Sequence, residues 1–524
     1  MKENASVKFT VLNTTNEQFE ENEENRMFAA QERAEHYKKI LKEKEHEIEH
    51  AHNIVKYELY NIQNEWPALY GIKKPSKFYV HMDLDSFDAS VEMLLNPEYK
   101  NIPLAVGNMN MIAACNYRAR EYNVRAGMPG YHAKKLCPHL VITSCRMEKY
   151  NYFSEKVMNI LSCYDNNIET YGIDECCLVF DEEKLKKAYD FYNYSSGKGR
   201  KSKQEEMPPI LFDSFTSDAV SRLVEKIRKI VFREIKLTIS AGISVCRGMS
   251  KFASNINKPN GQKVIKEHFD SHIIDLKVDK LNGIGKMTKL TLLKTFGIET
   301  VRDMRKKYAE ICVVFPHKTF VNLLRISQGL SVYDTISNAR SKGHNMKSIG
   351  NSYTIKRTVD YVTVIQHLWE ISNQVWNRMA RANYFGGVIT LTLKYRTFKQ
   401  TTRQKKMSIP VNSVRIIFET VVELLQPNLI SREGKELFLN EIVRMVGVSV
   451  SNLYKIDSVK NIGTFLAKPL QNELVDTICK CIICHETFFN ISEVNFNTHV
   501  NTCIDKISQC QKKKKQKILH FINK

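Results

Sequence analysis

A chain of 524 residues, 43% hydrophobic and 26% charged, has the length of about three or four domains and is too apolar to be wholly disordered. Its 78 Lys and Arg against 57 Asp and Glu leave a formal charge of +21. That surplus favours a polyanionic partner, because each phosphate that meets a cation releases counterions. No apolar run approaches the ~20 residues that cross a bilayer, and the first residues lack the basic-then-apolar pattern of a secretory leader, so membrane and secreted classes are set aside.

Residues 1–27 are polar and expected to be disordered. From Phe28 to Gln63 the chain is rich in Glu, Lys, His and Ala without Gly or Pro, which predicts a long helical region within an extension over 28–75. A strand is predicted at 78–85. Phe78, Val80, Met82 and Leu84 share one face, and Tyr79, His81, Asp83 and Asp85 share the other. Two same-face acids at the end of such a strand are expected at a sheet edge or cleft. A second acidic pair, Asp174 and Glu175, lies between Tyr171-Gly172-Ile173 and the apolar run Cys176–Phe180. In one continuous strand these two acids would face opposite sides, so they are placed at the turn of a hairpin where both can face outward.

Further along, 195–217 reads as a surface insertion and 337–348 as a polar, basic linker. The region 349–460 is β-rich and basic. Within it Ile389, Leu391, Leu393 and Tyr395 alternate with Thr390, Thr392, Lys394 and Arg396, which gives one packing face and one basic, hydroxyl-bearing face suited to a nucleic-acid backbone. Eight of the 13 cysteines are scattered as far as Cys312, whereas five crowd together from Cys479 to Cys510, which suggests a reducing compartment with one local metal site.

Taken alone, each acidic pair reads first as solvated acids at strand ends. Together, three acids from two places, Asp83, Asp174 and Glu175, have the hard oxygen donors that two Mg²⁺ ions require for phosphoryl transfer. The surrounding residues favour that reading. His81-Met82-Asp83-Leu84-Asp85-Ser86-Phe87 with Ala89-Ser90-Val91-Glu92, then Cys115-Asn116-Tyr117-Arg118-Ala119-Arg120, Tyr171–Glu175, Asn257-Lys258-Pro259-Asn260-Gly261-Gln262 and Leu281–Lys286 resemble, in order and spacing, the motifs of Y-family DNA polymerases. The Asn-Lys-Pro-Asn-Gly wording, the helical extension and the cysteine-rich end resemble the kappa, DinB-like branch of that family.

The resemblance implies an α+β right-hand fold. It divides the chain into a helical clasp (28–75), palm (76–102 and 166–275), fingers (103–165), thumb (276–336), linker (337–348), little finger (349–460), zinc finger (476–505) and basic tail (512–524). It implies template-directed DNA synthesis in translesion repair, at low fidelity and without proofreading, on primer-template DNA with deoxynucleoside triphosphates. Asp83, Asp174, Glu175 and the carbonyl of Leu84 would hold two Mg²⁺ or Mn²⁺ ions. Phe87, Asp88, Tyr117, Arg120 and Lys258 would meet the incoming nucleotide. Asp88 departs from the family, which has Tyr or Phe there as the gate against a 2′-hydroxyl. Poor exclusion of ribonucleotides, or their exclusion by another residue, is therefore expected. Gly172 and Cys176 also depart without removing a ligand. Gly283, Gly285 and Lys286 resemble a helix-hairpin-helix whose backbone amides approach a phosphate, and Thr390, Thr392, Lys394 and Arg396 the DNA face of the little finger.

Cys481-x₂-Cys484 and His499-x₃-Cys503 have the spacing of a tetrahedral Zn²⁺ site, with Cys479 and His485 as alternatives of poorer spacing. The motif resembles a ubiquitin-binding finger, although Asn501 stands where such fingers carry Asp. Ile518, Phe521 and Ile522 resemble a degenerate sliding-clamp box, Lys512 to Lys515 read as a nuclear import signal or a solvated charge run, and a nuclear monomer is expected. The competing reading is a scaffold that binds DNA and clamp with a decayed nucleotide site. All three metal-binding acids are present, which argues against it.

Overall fold

The computed structural model describes residues 24–197, 211–266, 269–336, 346–432, 436–455, 478–480, 486–489, 498–499 and 502–503. The readings made for 1–23, 198–210 and 337–345, for Cys481, Cys484 and Asn501, and for the tail from 504 onward (Ile518, Phe521 and Ile522 included) lie outside these residues. The chain divides into two units, Met1–Lys342 and Gly343–Lys524. Among the described residues no helix is long and apolar enough to cross a membrane.

In the first unit, α1 (24–43) leads through a 3-10 turn at Glu45–Glu47 into α2 (Ile48–Glu65). A helix was expected from Phe28 to Gln63; it starts four residues earlier, so 24–27, read as disordered, are helical, and it is in two pieces. Neither Gly nor Pro causes the break. Tertiary docking accompanies it, as the thumb-region helices below show.

Five strands form the main sheet: β1 (Phe78–Leu84), β5 (Glu169–Thr170), β6 (Glu175–Phe180), β7 (Ile239–Ser244) and β8 (Gln262–Val264), in the order β5-β6-β1-β7-β8. β1 runs antiparallel to both β6 and β7. It is therefore the central strand rather than an edge, and all seven of its residues are buried. The predicted alternation holds, but both faces are covered. On one face Phe78, Val80, Met82 and Leu84 join the apolar core. On the other, Tyr79 lies beneath the Arg247 guanidinium (4.6 Å to the ring centre) and His81 meets Ser254.

Between β1 and β5 come α3 (Phe87–Leu95), a small sheet of β2 (Leu104–Gly107), β3 (Ile112–Cys115) and β4 (Val141–Thr143) with α4 (Tyr117–Glu121) and α5 (Gly130–Leu136), and then α6 (Met147–Ser162). After β6 follow α7 (Glu182–Gly197), which extends into the segment read as an insertion, and α8 (Ser217–Ile235). The sequence of α8 explains its burial. Val220, Leu223, Val224, Ile227 and Val231 recur at helical spacing and are buried, Thr216 caps the first turn by accepting from Ala219 N–H, and Lys236 ends it in the left-handed region. Each such side chain removed from water stabilises the fold by about 1.5–3 kcal/mol, so Leu223→Ala would cost about 2–5 kcal/mol. β7 then leads into α9 (Arg247–Ser254), which lies against β7 and β1.

The unit closes with α10 (Phe269–Ile273), α11 (Lys286–Phe296), α12 (Val301–Lys306), α13 (Tyr308–Val314) and α14 (His317–Ser327). The extension docks on this group. Arg325 holds Glu65 through two hydrogen bonds (2.8 and 3.0 Å), His317 approaches Glu58 at 3.2 Å, and the rings of Tyr37 and Phe315 are 5.0 Å apart.

The second unit contains β9 (Ser348–Asp360), α15 (Tyr361–Arg381), β10 (Tyr384–Tyr395), β11 (Gln400–Val411), α16 (Val414–Leu425), β12 (Leu429–Arg432) and β13 (Glu436–Lys455). The long strand β13 pairs with β10, β9 and β12, and β11 pairs with β10, all antiparallel. Ile389, Leu391, Leu393 and Tyr395 point into a core shared with Leu368 and Trp369 of α15 and Ile417 and Phe418 of α16. Thr390, Thr392 and Lys394 are half-buried on the opposite face. Arg396 lies past the end of the strand, beyond a register shift at Lys394/Tyr395, and is exposed. It therefore leaves the alternation that the sequence suggested. A short ladder of β14 (Ile478–Lys480) and β15 (Thr487–Phe489) follows.

Candidate active site

The acids predicted from two places in the chain do converge. Asp83 and Glu175 stand opposite one another in the β1–β6 register, and Leu84 N–H donates to the Asp174 carbonyl at 2.9 Å. Residues 171–174 form the bend between β5 and β6, the hairpin that the opposite-face argument required. Ser154 of α6 pins this bend by donating its hydroxyl to the Ile173 carbonyl.

Three carboxylates so close together repel one another, and two lysines answer them. Lys258 Nζ is 2.5 Å from Asp83 Oδ1, and Lys251 Nζ is 2.5 Å from Glu175 Oε2. Burial pushes Asp83 up to about 6; Lys258 pulls the other way, and Glu175 and Asp174 add to the rise. Asp174 is raised as well, first by burial and then by Glu175. Burial also works against Glu175, but contacts from His81 and Lys251 outweigh it and hold that carboxyl down at about 2. His81 is itself kept low by burial, against the pull of Glu175. Its Nε2 lies 3.7 Å from Glu175 Oε2, too long for a hydrogen bond, while its Nδ1 is 3.2 Å from Ser254 Oγ. Of the two partners that lower Glu175, Lys251 is therefore the nearer and makes the direct ion pair.

Asp85, on the same face of the sequence pattern as Asp83, serves another purpose. Its carboxylate accepts Ser240 Oγ–H (2.7 Å) and Asn260 N–H (2.8 Å) and so anchors the loop that carries Lys258 and the cis Lys258–Pro259 bond. The Tyr117 hydroxyl reaches the same carboxylate at 3.5 Å. Tyr117 opens α4, whose cap Asn116 accepts from Ala119 N–H and Leu104 N–H, and the Arg120 guanidinium lies 4.7 Å from the centre of the Tyr117 ring. Tyr117, Arg120, Lys258 and the carboxylates are thus gathered around one cleft.

Phe87 and Asp88 begin α3 but differ in placement. The Phe87 ring is 3% exposed and packs edge-on against Tyr150, so it belongs to the core rather than to the cleft surface. Asp88 is half-buried. Burial, Asp174 and Glu92 raise its carboxyl to about 6, and among the described residues it has no hydrogen-bond or ion-pair partner. The fully buried Glu92, one helical turn on, is by contrast satisfied by Arg146 and by the Tyr150 hydroxyl (2.7 Å).

Elsewhere, Gly283 adopts a φ of +109°, and Gly285, which has no side chain to cap with, directly precedes α11. A cavity of ≈ 860 Å³ separates this hairpin from α9. His499 and Cys503 lie side by side, with Sγ 3.3 Å from Nε2.

Sequence reasoning missed Lys251 and Arg247. A single lysine on a short helix carries no signal that separates it from the other cations of the chain. Its seven-residue spacing from Lys258, across the α9-to-loop connection, is the one clue that was there to use.

The cleft has the donor set that divalent cations take, hard carboxylate oxygens at the end of a central sheet with more negative charge than the local lysines neutralise. Among the described residues no three such side chains already stand in a coordinating group, because Asp83 and Glu175 are each turned onto a lysine.

Residues 82–255 match the impB/mucB/samB family, and residues 346–462 match the C-terminal domain of that family; together they make up more than half of the chain. DNA polymerase IV of Ureaplasma parvum serovar 3 is 28% identical over 400 residues, which cover 73% of this chain and 96% of that protein. DNA polymerase kappa of Homo sapiens is 29% identical over 430 residues, covering 72% of this chain and 48% of that longer protein. Among solved structures, a Y-family DNA polymerase chimera superposes with a TM-score of 0.56 at 24% identity, covering 72% of this chain and 99% of the chimera.

Proposed function

Because this chain belongs to the Y family of DNA polymerases and synthesises DNA on a template, we propose that it does so at the β1–β6 carboxylates and that it is a kappa-like translesion enzyme. The convergence of Asp83, Asp174 and Glu175, compensated by Lys251 and Lys258, carries the reading. Asp83, Glu175, Asp174 and the Leu84 carbonyl would hold two divalent cations, Mg²⁺ or Mn²⁺, which would supply positive charge for the attacking and leaving oxygens of the phosphoryl transfer. Tyr117, Arg120 and Lys258 orient the triphosphate, Arg as a planar fork and Lys as a mobile point charge. Lys258 leaves Asp83 for a phosphate when nucleotide enters.

Asp88 occupies the sugar side of the cleft, where its carboxylate accepts a 2′-hydroxyl instead of blocking it. The α11 amides behind Gly283 and Gly285, and the face bearing Thr390, Thr392 and Lys394, grip phosphates without reading bases, so binding is salt-sensitive. Cys481, Cys484, His499 and Cys503 bind Zn²⁺. The tail residues Ile518, Phe521 and Ile522 engage a sliding clamp, the finger binds ubiquitin weakly if at all because of Asn501, and the lysine run Lys512 to Lys515 directs a monomer to the nucleus.

Primer extension with Mg²⁺ on a defined template, beside the doubly substituted Asp174→Ala, Glu175→Ala protein, tests the central reading. Extension by the wild type and loss of it in the variant, with DNA binding retained, are expected. Undiminished extension by the variant would overturn the assignment of these acids.

A further inference from the structure

Lys251 is held in place more firmly than a chance surface lysine would be. The first two amides of α9, Arg247 N–H and Gly248 N–H, donate to the buried Asp334 carboxylate at 2.9 and 3.1 Å. The Arg247 guanidinium grips Glu169 through two hydrogen bonds of 2.7 and 2.5 Å. The last residue of α9, Ser254, meets His81. Between these fixed ends Lys251 projects to Glu175. Opposite it the His81 ring is covered by Tyr171 (centres 6.0 Å apart, planes 10° apart), and Tyr171 is backed by Tyr333 at 5.0 Å. The His81 Nε2 stays 3.7 Å from Glu175 Oε2, whereas Lys251 Nζ is 2.5 Å from it, so one cation, Lys251, is matched to one oxygen. Lys258 makes the equivalent pair with Asp83 from a loop, whereas Lys251 sits on a helix locked at both ends.

We propose that Lys251 is a positioning residue and the resident counter-ion of the carboxylate cluster: it fixes Glu175 in the free enzyme, and an incoming divalent cation competes with it for that carboxylate. The proposal rests on the reading that these acids bind divalent cations. It has a consequence of unexpected sign. Removing the ammonium leaves the carboxylates with an uncompensated charge, so a neutral side chain at this position strengthens cation binding while it loosens the geometry that catalysis needs.

The test is Mn²⁺ binding to the full chain without nucleotide, followed by the paramagnetic resonance signal of free Mn²⁺, for the wild type, Lys251→Met, Lys251→Arg, Glu175→Gln and the Lys251→Met, Glu175→Gln pair. Lys251→Met is expected to bind Mn²⁺ about five- to tenfold more tightly, the scale of one partly exposed ion pair, and Lys251→Arg to bind like the wild type. On the Glu175→Gln background, Lys251→Met adds little. In primer extension Lys251→Met lowers kcat with KM for deoxynucleotides nearly unchanged, and Lys251→Arg recovers most of it. Unchanged or weaker Mn²⁺ binding by folded Lys251→Met, with the wild type binding normally, overturns the proposal alone. A wild type that binds no Mn²⁺, or binds it no differently from Glu175→Gln, overturns the carboxylate reading beneath it and the proposal with it.

Discussion

Gly242 offers the sharpest test of how the site is supported. It sits on β7 opposite His81, where the sheet meets the backbone of α9. A Cβ added there would lie 2.0 Å from the Ser250 carbonyl oxygen and 2.2 Å from the Ser254 nitrogen, both main-chain atoms that no rotamer change can move aside. Ordinary contact begins at 3.4 Å, so Gly242→Ala must push α9 off the sheet by about 1.4 Å. That displacement breaks the Ser254–His81 contact and draws Lys251 away from Glu175. Overpacking costs about 1–3 kcal/mol and a lost buried hydrogen bond about 1 kcal/mol more, for a total near 3 kcal/mol. Scanning calorimetry of the full chain reads it. The transition of the first unit is expected to fall by about 4–5 °C, while that of the second unit stays in place as an internal control. Polymerase activity should fall further than DNA binding. An unchanged first transition together with full activity would refute the close packing of α9 on β7 and the dependence of the carboxylates on it.

Three other outcomes follow from particular residues. Asp88→Tyr should raise the preference for deoxy- over ribonucleotides at least tenfold, an order typical for filling or opening one contact at a sugar, and a wild type that already excludes ribonucleotides strongly would refute the sugar-side role of Asp88. Arg325 holds the Glu65 carboxyl below its ordinary value of 4.5, so this ion pair adds stability above that pH and loses it as pH falls through the lower, folded value. Because Glu65 is half-exposed the effect is at most about 1 kcal/mol. Between neutral pH and about pH 3.5 the urea midpoint of the first unit should therefore drop slightly more in the wild type than in Glu65→Gln, and identical slopes would show that the pair contributes nothing. Metal analysis of protein purified without added zinc should find one zinc per chain, lost in Cys503→Ser. Equal zinc in both would remove Cys503 from the ligand set.

Much of this was legible in the sequence because it depends on short periods. The two-residue alternation of β1 and β10 assigned their faces, and the conflict between adjacent Asp174 and Glu175 required a turn. What was hidden depends on partners far away in the chain. That β1 is central, rather than an edge, is decided by pairings with β6 and β7 some 95 and 160 positions further on, which no local pattern encodes. The break between α1 and α2 likewise has no Gly or Pro to announce it; it accompanies docking through Tyr37, Glu58 and Glu65 onto α13 and α14. Phe87 looked like a cleft residue because its neighbours in the motif are, yet the helical turn beginning at Ser86 sends its ring into the core beside Tyr150.

The same distance hides the charge balance. Asp83 and Glu175 are 92 positions apart, and the lysines that answer them, 251 and 258, come from one short stretch in which only Lys258 belongs to a motif legible in the sequence. A central sheet can gather three acids at one end only if cations are delivered to the same place, and here one connection after β7 delivers both. Asp85 fixes the loop half of that connection through Asn260, and Asp334 fixes the helix half through Arg247 and Gly248. Two buried acids that hold no metal in this reading are therefore what set the positions of the two lysines. Replacing Asp334 by Asn would keep the shape but weaken its hold on the α9 amides, since a neutral acceptor binds them less strongly than a carboxylate. If Lys251 governs Glu175, Asp334→Asn should shift Mn²⁺ affinity in the same direction as Lys251→Met and by less. A shift in the opposite direction would mean that α9 and the carboxylates are tuned independently.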